Sequence, residues 1–172
     1  MKDLVNGLKS NCERGFNFLF QQIDEASDAV WKAKSGRLLY WQHIYHAFAC
    51  VDFFAALPGA AMDPGPGTID IAMFKDFPDQ PLSKEEIREY GLKKKAQAYA
   101  WIDGLDDSDL VKRNEANSER RKMDVNNGMV MSGLAGHCFY HVGCNDSILR
   151  ENGHDGVYPD FDTKNREKSA LS

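Results

Sequence analysis

Residues 129–152 read Met-Val-Met-Ser-Gly-Leu-Ala-Gly-His-Cys-Phe-Tyr-His-Val-Gly-Cys-Asn-Asp-Ser-Ile-Leu-Arg-Glu-Asn. One set of side chains recurs in this stretch at intervals of three and four residues: Leu134, His137, Cys138, His141, Asn145 and Ile148. Side chains with this spacing share one face of an α-helix. The pattern therefore predicts a single helix, and Gly153 is a suitable residue to end it.

The two histidines of this helix have the spacing of metal ligands. His137 and His141 lie one turn apart, which places their Cβ atoms roughly 5–6 Å from each other. Two imidazoles at that separation can bind the same ion. In zinc proteases a glutamate follows the first histidine and acts as the general base. Cys138 occupies that position here, so the sequence argues against a protease.

A second pair of histidines lies far upstream, in the apolar stretch 38–54. His43 and His46 are surrounded there by aromatic and aliphatic residues. A buried imidazole is unfavourable unless it forms a hydrogen bond or binds a ligand. Either histidine could face the interior on a helical wheel. Two helices that each supply histidines predict a metal site inside a helix bundle.

These segments together resemble the DinB/YfiT-like family of metal-dependent enzymes, which is distinct from the DNA polymerase that shares the name. The resemblance rests on Tyr45-His46-Ala47-Phe48, on Val51-Asp52-Phe53-Phe54, on the run from His137 to Gly143 and on Leu149-Arg150. It implies an all-α fold, an antiparallel four-helix bundle with a long loop between helices 2 and 3. It also implies that His46, His137 and His141 bind a divalent metal ion such as zinc, nickel or iron.

The same resemblance implies a class of chemistry. Family members with known activities use a low-molecular-weight thiol as cosubstrate, so we expect an S-transferase or a hydrolase that acts on a small molecule. Dimers are common among them, and a homodimer is expected here. No residue matches a catalytic base, and Asp52 is six positions beyond His46 and points elsewhere on the wheel.

Several alternatives remain open at this point. His43 could be a core histidine bonded to a backbone carbonyl, or it could support the site, and Cys50, one turn from His46, could reach the metal. The chain could also be a non-catalytic bundle that serves in binding or in a stress response, or all the histidines could be hydrogen-bonded core groups. An enzyme predicts a solvent-reachable cavity beside the histidines, whereas a non-catalytic bundle predicts that packing seals the histidines or that they lack metal.

Composition narrows the class of protein. The chain of 172 residues is expected to form one domain, with its core at about 4–153 and a tail at 154–172. It carries 26 acidic and 21 basic residues, and this balance argues against a nucleic-acid partner. No stretch has the roughly 18 apolar residues of a membrane span, and the four cysteines form no Cys-x-x-Cys motif. We therefore expect a cytoplasmic protein with reduced thiols.

The periodicity also predicts element boundaries. Helices are expected over 4–33 and about 37–57, and Ser83 is expected to begin a third helix, with a capping box to Glu86, that ends near Gly104. A fourth helix should begin near Val125 or Asn126. Two connections are predicted: a packed loop over 58–82 and an exposed linker over 103–125. The basic run Lys93-Lys94-Lys95 is expected to be solvated.

Overall fold

The computed structural model of the protein describes residues 1–55 and 59–158, and this part of the chain is mostly helical. Its helices are α1 (Asp3–Glu25), α2 (Asp28–Trp31), α3 (Tyr40–Ala49), α4 (Val51–Phe54), α5 (Ile69–Ala72), α6 (Lys84–Asp103), α7 (Glu115–Arg121) and α8 (Asn127–Glu151). Two short strands, β1 (Lys34–Ser35) and β2 (Leu38–Leu39), pair antiparallel. The all-α prediction is thus confirmed. Among the described helices, none is long and apolar enough to cross a membrane.

The long helices pack on one another around one apolar core. Helix α1 lies against α8 and α6, and α3 lies against the same two helices. The largest side chains of the core are wholly buried, among them Trp41, Tyr40, Tyr45, Phe16 and Phe48. As a result α3 and α8, the two helices that carry the histidines, are direct neighbours.

The first helix is shorter than the apolar spacing predicts. Helix α1 ends at Glu25 because Ala26 has an extended backbone. Ser27 then begins α2, and its side chain accepts a hydrogen bond from the backbone N–H of Val30. A serine that caps a new helix therefore interrupts an apolar pattern that continues across the break. The prediction of one helix over 4–33 is wrong.

The second predicted helix also differs at its start and in its middle. Residues 34–39 form the β1–β2 ribbon, so helix α3 begins at Tyr40 instead of Arg37. Cys50 separates α3 from α4, and its N–H still bonds to the carbonyl of His46. The predicted end of this helix, at Leu57, lies outside the described residues.

Several helix ends agree with the prediction. The side chain of Ser83 and that of Glu86 form the reciprocal capping box at the start of α6. Asn126 caps α8 by accepting from the N–H of Met129. Gly153 follows the last turn of α8 with φ of 82°, a left-handed conformation that favours glycine. These helix ends could be predicted because each capping residue directly adjoins its helix in the sequence.

The two connections contain more structure than predicted. The described part of the loop after α4 includes helix α5. The predicted exposed linker over 103–125 includes a 3₁₀ turn (Asp107–Asp109) and helix α7, and it buries Leu110, Asn117 and Ser118. The description of this segment as an exposed linker is therefore wrong. Asn117 donates to the carbonyl of Phe54, which fixes α7 beside α4.

The basic run on α6 is not uniformly solvated. Lys93 is exposed and pairs with Asp63, but only 1% of the Lys94 side chain is exposed. Its ammonium group lies 2.7 Å from both carboxylate oxygens of Asp52 on α4. The expectation that all three lysines are solvated is wrong for Lys94, because a distant carboxylate neutralises it inside the fold.

Candidate metal site at three histidines

His46 of α3 and His137 and His141 of α8 converge in the interior. One ring nitrogen from each lies within 4.8 Å of the other two. The ring centroids are 5.1 Å apart for His46 and His137, 4.7 Å for His46 and His141, and 4.6 Å for His137 and His141. The structure therefore brings together the three residues that the sequence singled out as ligands, at separations compatible with a shared divalent ion.

A backbone carbonyl fixes the tautomer of His46. The Nδ1 atom of His46 lies 2.6 Å from the carbonyl oxygen of Ala72, at the end of α5. A carbonyl can only accept, so Nδ1 carries the proton and Nε2 keeps its lone pair. Metal-binding histidines are commonly oriented in this way by a partner on their second nitrogen. The long loop thus positions His46, the member of the three-histidine cluster that lies on α3.

His43 supports the cluster from the same helix. Its Nδ1 lies 2.9 Å from the Nδ1 of His141, so one imidazole donates to the other. When His141 is the donor, its Nε2 is left with a free lone pair. The sequence left open that His43 bonds to a backbone carbonyl. In the structure its hydrogen-bond partner is the side chain of His141 instead.

His137 supplies the observation that tests whether these residues suit a metal ion. Its Nε2 atom is buried and has no hydrogen-bond partner in the described part of the chain. A buried polar atom without a partner is unfavourable by about 1–3 kcal/mol. A bound cation would remove that penalty. The donor set of three imidazoles suits zinc, nickel, iron or copper.

The electrostatics of the cluster favour neutral imidazoles. Burial lowers the pKa of His43 and of His137 to about 4, and the neighbouring His46 contributes to both shifts. Burial together with the other three histidines lowers the pKa of His141 to about 2. Burial also lowers the pKa of His46, against the effect of its bond to Ala72. Neutral rings near pH 7 have the lone pairs that metal binding requires.

Phe74 covers the cluster on the side of the long loop. Its ring stacks on His46 at a centroid distance of 4.3 Å and lies 5.6 Å from the ring of His43. Its φ of 56° is in the left-handed region, where a bulky residue is strained. Sequence reasoning assigned no role to Phe74, because nothing local shows that the loop folds back over α3.

A shallow, open cavity of about 300 Å³ adjoins the cluster at His137. It lies between α4, α7 and α8, and we call it the arginine cavity; its lining residues are Cys50, Phe53, Phe54, Arg120, Arg121 and His137. His137 belongs to both the histidine cluster and this cavity. Sequence reasoning missed Arg120 and Arg121, since they lie in the segment interpreted as a linker.

Cys50 lies between the cavity and the histidines. Its Sγ atom is 3.4 Å from the Nε2 of His46, the nitrogen with the free lone pair. Burial raises the pKa of the Cys50 thiol to about 12, so the thiol keeps its proton and can donate to that nitrogen. The carboxylate of Asp52 is bound elsewhere: it contacts Lys94 and Gln97 of α6 and accepts from the backbone N–H of Asp63 in the loop after α4.

A comparison with protein-family models, with curated proteins and with solved structures finds no match to this chain.

Proposed function

We propose that the protein is a metal-dependent enzyme of the DinB-like type, an antiparallel four-helix bundle that acts on a small molecule. The observation that carries the proposal is the convergence of His46, His137 and His141, with the Nε2 of His137 buried and without a partner in the described residues. The packing of α1, α3, α6 and α8 on one another supports the bundle.

The arginine cavity favours an enzyme over a non-catalytic bundle. A protein that merely keeps the fold has no need for space beside its histidines. Here the arginine cavity reaches His137. Its volume of about 300 Å³ is at the lower end of the range for small-molecule sites. If His46, His137 and His141 hold the ion, a coordination position remains for a water molecule or a substrate atom.

The protein's own residues define what that position can do. Phe74 excludes water on one side of the histidines, and the hydrogen bonds of His46 and His141 hold their rings in place. A divalent ion bound there would supply Lewis acidity, which activates water or stabilises a thiolate. The family resemblance favours the thiol, and we propose an S-transferase or a hydrolase that uses a low-molecular-weight thiol.

The first experiment measures metal content by plasma mass spectrometry on protein purified without an affinity tag. We expect near-stoichiometric zinc, nickel or iron in the parent and loss of the metal in His137→Ala/His141→Ala. His154→Ala is the matched control, because this histidine lies in the tail after α8 and should leave the content unchanged. Absence of metal in the parent after incubation with each ion would overturn the proposal.

The second experiment follows the chemistry. The metal-loaded parent is mixed with a panel of small thiols and electrophiles, and thiol consumption is followed with a colorimetric reagent. Turnover that disappears in His137→Ala/His141→Ala and survives in His154→Ala supports the transferase. The proposed homodimer is tested separately by light scattering after size-exclusion chromatography.

A further inference from the structure

We propose that Gln42 is a positioning residue for the histidine site, which it serves by holding the segment 69–76 against α3. We call this segment the covering loop; it contains α5 and Phe74. The effect of Gln42 on the orientation of His46 follows from hydrogen bonds within the chain. Its effect on metal affinity rests on the function proposed above.

Gln42 binds the covering loop at two points. It lies on α3, one turn before His46, and its side chain is wholly buried. Its amide nitrogen donates to the backbone carbonyl of Ile71 at 3.3 Å and to that of Asp76 at 2.8 Å. Both partners are carbonyls, which can only accept, so the amide cannot be turned over without losing both bonds.

The residues between these two points are the ones that contact the histidines. The carbonyl of Ala72 accepts from the Nδ1 of His46 at 2.6 Å, and the ring of Phe74 stacks on the same imidazole. Ala72 directly follows Ile71, so a bond that fixes the Ile71 carbonyl also restricts where the Ala72 carbonyl can point. Gln42 therefore acts on His46 through the backbone of the covering loop.

The covering loop depends on α3 for its position. Helix α5 has only four residues, and a helix of that length is not stable by itself. The side chains of Asp70 and Lys75 are 66% and 69% exposed, whereas Ala72 is wholly buried. One side of the loop thus lies in solvent, and the other is held by its contacts with the protein.

Two side chains of α3 share the task of holding the long connection after α4. Tyr45 donates to the carbonyls of Pro64 and Thr68, which precede the covering loop, and Gln42 binds the loop itself. Loss of the Gln42 amide should therefore release the part that covers the histidines and leave the earlier part attached.

Gln42 is an unfavourable residue for a position that serves packing alone. Its Oε1 atom is buried and has no hydrogen-bond partner in residues 1–55 and 59–158. A buried acceptor without a partner destabilises the fold. Methionine has a similar length and would fill the same space without that acceptor. The glutamine is explained by the two bonds that its nitrogen donates to the covering loop.

Phe74 shows that the covering loop is held in a costly conformation. The turn after α5 has the bonds of a Schellman motif. The N–H of Lys75 bonds to the carbonyl of Asp70, and the N–H of Phe74 bonds to that of Ile71. The position of Phe74 in this motif requires a left-handed backbone and is usually occupied by glycine. Such strain persists only where the surrounding structure holds it, and Gln42 binds the chain on both sides of Phe74.

The test begins with the full chain after treatment with EDTA, so that its first result does not depend on metal. The variant is Gln42→Met, and Gln42→Leu repeats the test if circular dichroism shows that Gln42→Met is not folded. The matched control is Gln97→Met, which removes an amide that donates to a carboxylate on α4. Nitrogen NMR of the imidazoles gives the tautomer of His46.

Hydrogen exchange of two backbone amides reports on the covering loop in the same samples. The N–H groups of Met73 and Lys75 both bond to carbonyls within the loop, each at 2.8 Å. In Gln42→Met these amides should exchange at least about tenfold faster than in the parent, because the loop loses two hydrogen bonds to α3.

The tautomer of His46 should change with the loop. We expect the parent to carry the proton on Nδ1 alone and Gln42→Met to share it between Nδ1 and Nε2, because the Ala72 carbonyl is no longer held in place. Gln97→Met should follow the parent in both measurements although it also loses a hydrogen bond. A general loss of stability would not produce this difference.

Zinc then measures the consequence for the histidine site. Competition with a chelating dye should show an affinity about 10–100-fold lower in Gln42→Met than in the parent, as for other groups that orient ligating histidines. Gln97→Met should match the parent. Because coupling between binding and loop position is reciprocal, zinc should slow the exchange of Met73 and Lys75 in the parent.

An unchanged tautomer of His46 and unchanged exchange of the loop in Gln42→Met would overturn the proposal. The same changes in Gln97→Met would also overturn it, since they would reflect general destabilisation. The two proposals can fail separately. A parent that takes up no metal rejects the metalloenzyme, and a changed tautomer in Gln42→Met then still supports Gln42 as the residue that positions His46. Metal uptake with equal affinity in Gln42→Met and the parent rejects the role of Gln42 and leaves the metal site intact.

Discussion

Lys94 and Asp52 form an ion pair in the protein interior, between α6 and α4. The Nζ atom lies 2.7 Å from each carboxylate oxygen, and the two side chains are only 1% and 9% exposed. Gln97 and the backbone N–H of Asp63 donate to the same carboxylate. The pair therefore joins α4, whose Phe53 and Phe54 line the arginine cavity, to the long helix α6.

Removal of one partner should be costly. We expect Lys94→Met to lower the free energy of unfolding by about 3–5 kcal/mol, because a buried carboxylate is left without its cation. Lys93→Met is the matched control; its exposed pair with Asp63 should be worth no more than about 1 kcal/mol. Urea denaturation followed by circular dichroism measures both, and equal effects of the two variants would contradict the importance of the buried pair.

His43 should affect metal affinity through its hydrogen bond to His141, although it is not itself a proposed ligand. His43→Phe keeps the ring shape but removes the nitrogen that lies 2.9 Å from the Nδ1 of His141. We expect metal affinity to fall about 10–100-fold, as for other groups that orient ligating histidines. His43→Gln retains a hydrogen-bonding group and should lose less. Competition with a chelating dye gives the affinities, and an unchanged value in His43→Phe would contradict this supporting role.

The lowered pKa values predict acid sensitivity of the metal-free protein. His43 and His137 have pKa values of about 4 in the folded protein and an ordinary value of 6.5 when exposed. Between those values the unfolded chain binds more protons than the folded one, so the free energy of unfolding decreases as the pH falls from 6.5 towards 4. At and above pH 7 this contribution to stability is fully present.

Urea denaturation in EDTA at pH 7.5, 6.5, 5.5 and 4.5 measures this dependence. His43→Gln/His137→Gln should give a shallower decrease than the parent, because two of the groups that take up protons on unfolding are absent. His154→Ala is the control and should follow the parent. A parent whose stability is constant over this range would rule out buried neutral histidines.

Helices α3 and α6 approach so closely at Gly91 that a larger side chain there should destabilise the protein. A Cβ atom on Gly91 would lie 2.4 Å from a ring carbon of Phe48, which is inside the contact distance. Gly91→Ala should destabilise by about 1–3 kcal/mol through overpacking. Gly143 on α8 has no atom within 4 Å of such a Cβ, so Gly143→Ala should instead stabilise by roughly 0.5–1 kcal/mol. Thermal denaturation measures both variants: the melting temperature should fall for Gly91→Ala and rise for Gly143→Ala.

Local patterns in the sequence were sufficient to predict part of this structure. His137 and His141 could be paired because four residues make one helical turn, and the capping box of Ser83 and Glu86 depends on side chains three residues apart. The break at Ser27 was not predictable from periodicity, because the apolar spacing continues through it. A cap residue inside a regular apolar pattern has no distinct signal.

The features that required tertiary structure were not predictable. The burial of Lys94 depends on Asp52, which is 42 residues away, and nothing near Lys94 distinguishes it from the lysines on either side. The same holds for Phe74, which reaches His46 only because the long loop folds back on α3. Arg120 and Arg121 line the same cavity as His137, and the bond of Asn117 to the carbonyl of Phe54 that positions their helix joins residues 63 positions apart.

The packing of α1 on α8 has a consequence for synthesis on the ribosome. These helices are far apart in sequence, as the contact between Cys12 and Met131 across 119 residues illustrates, yet α8 is a principal neighbour of α1. The apolar face of α1 therefore leaves the ribosome long before its partner has been made. Until α8 emerges, we expect that face to be exposed to solvent except where α3 and α6 already pack on it, which makes this stage of synthesis prone to aggregation.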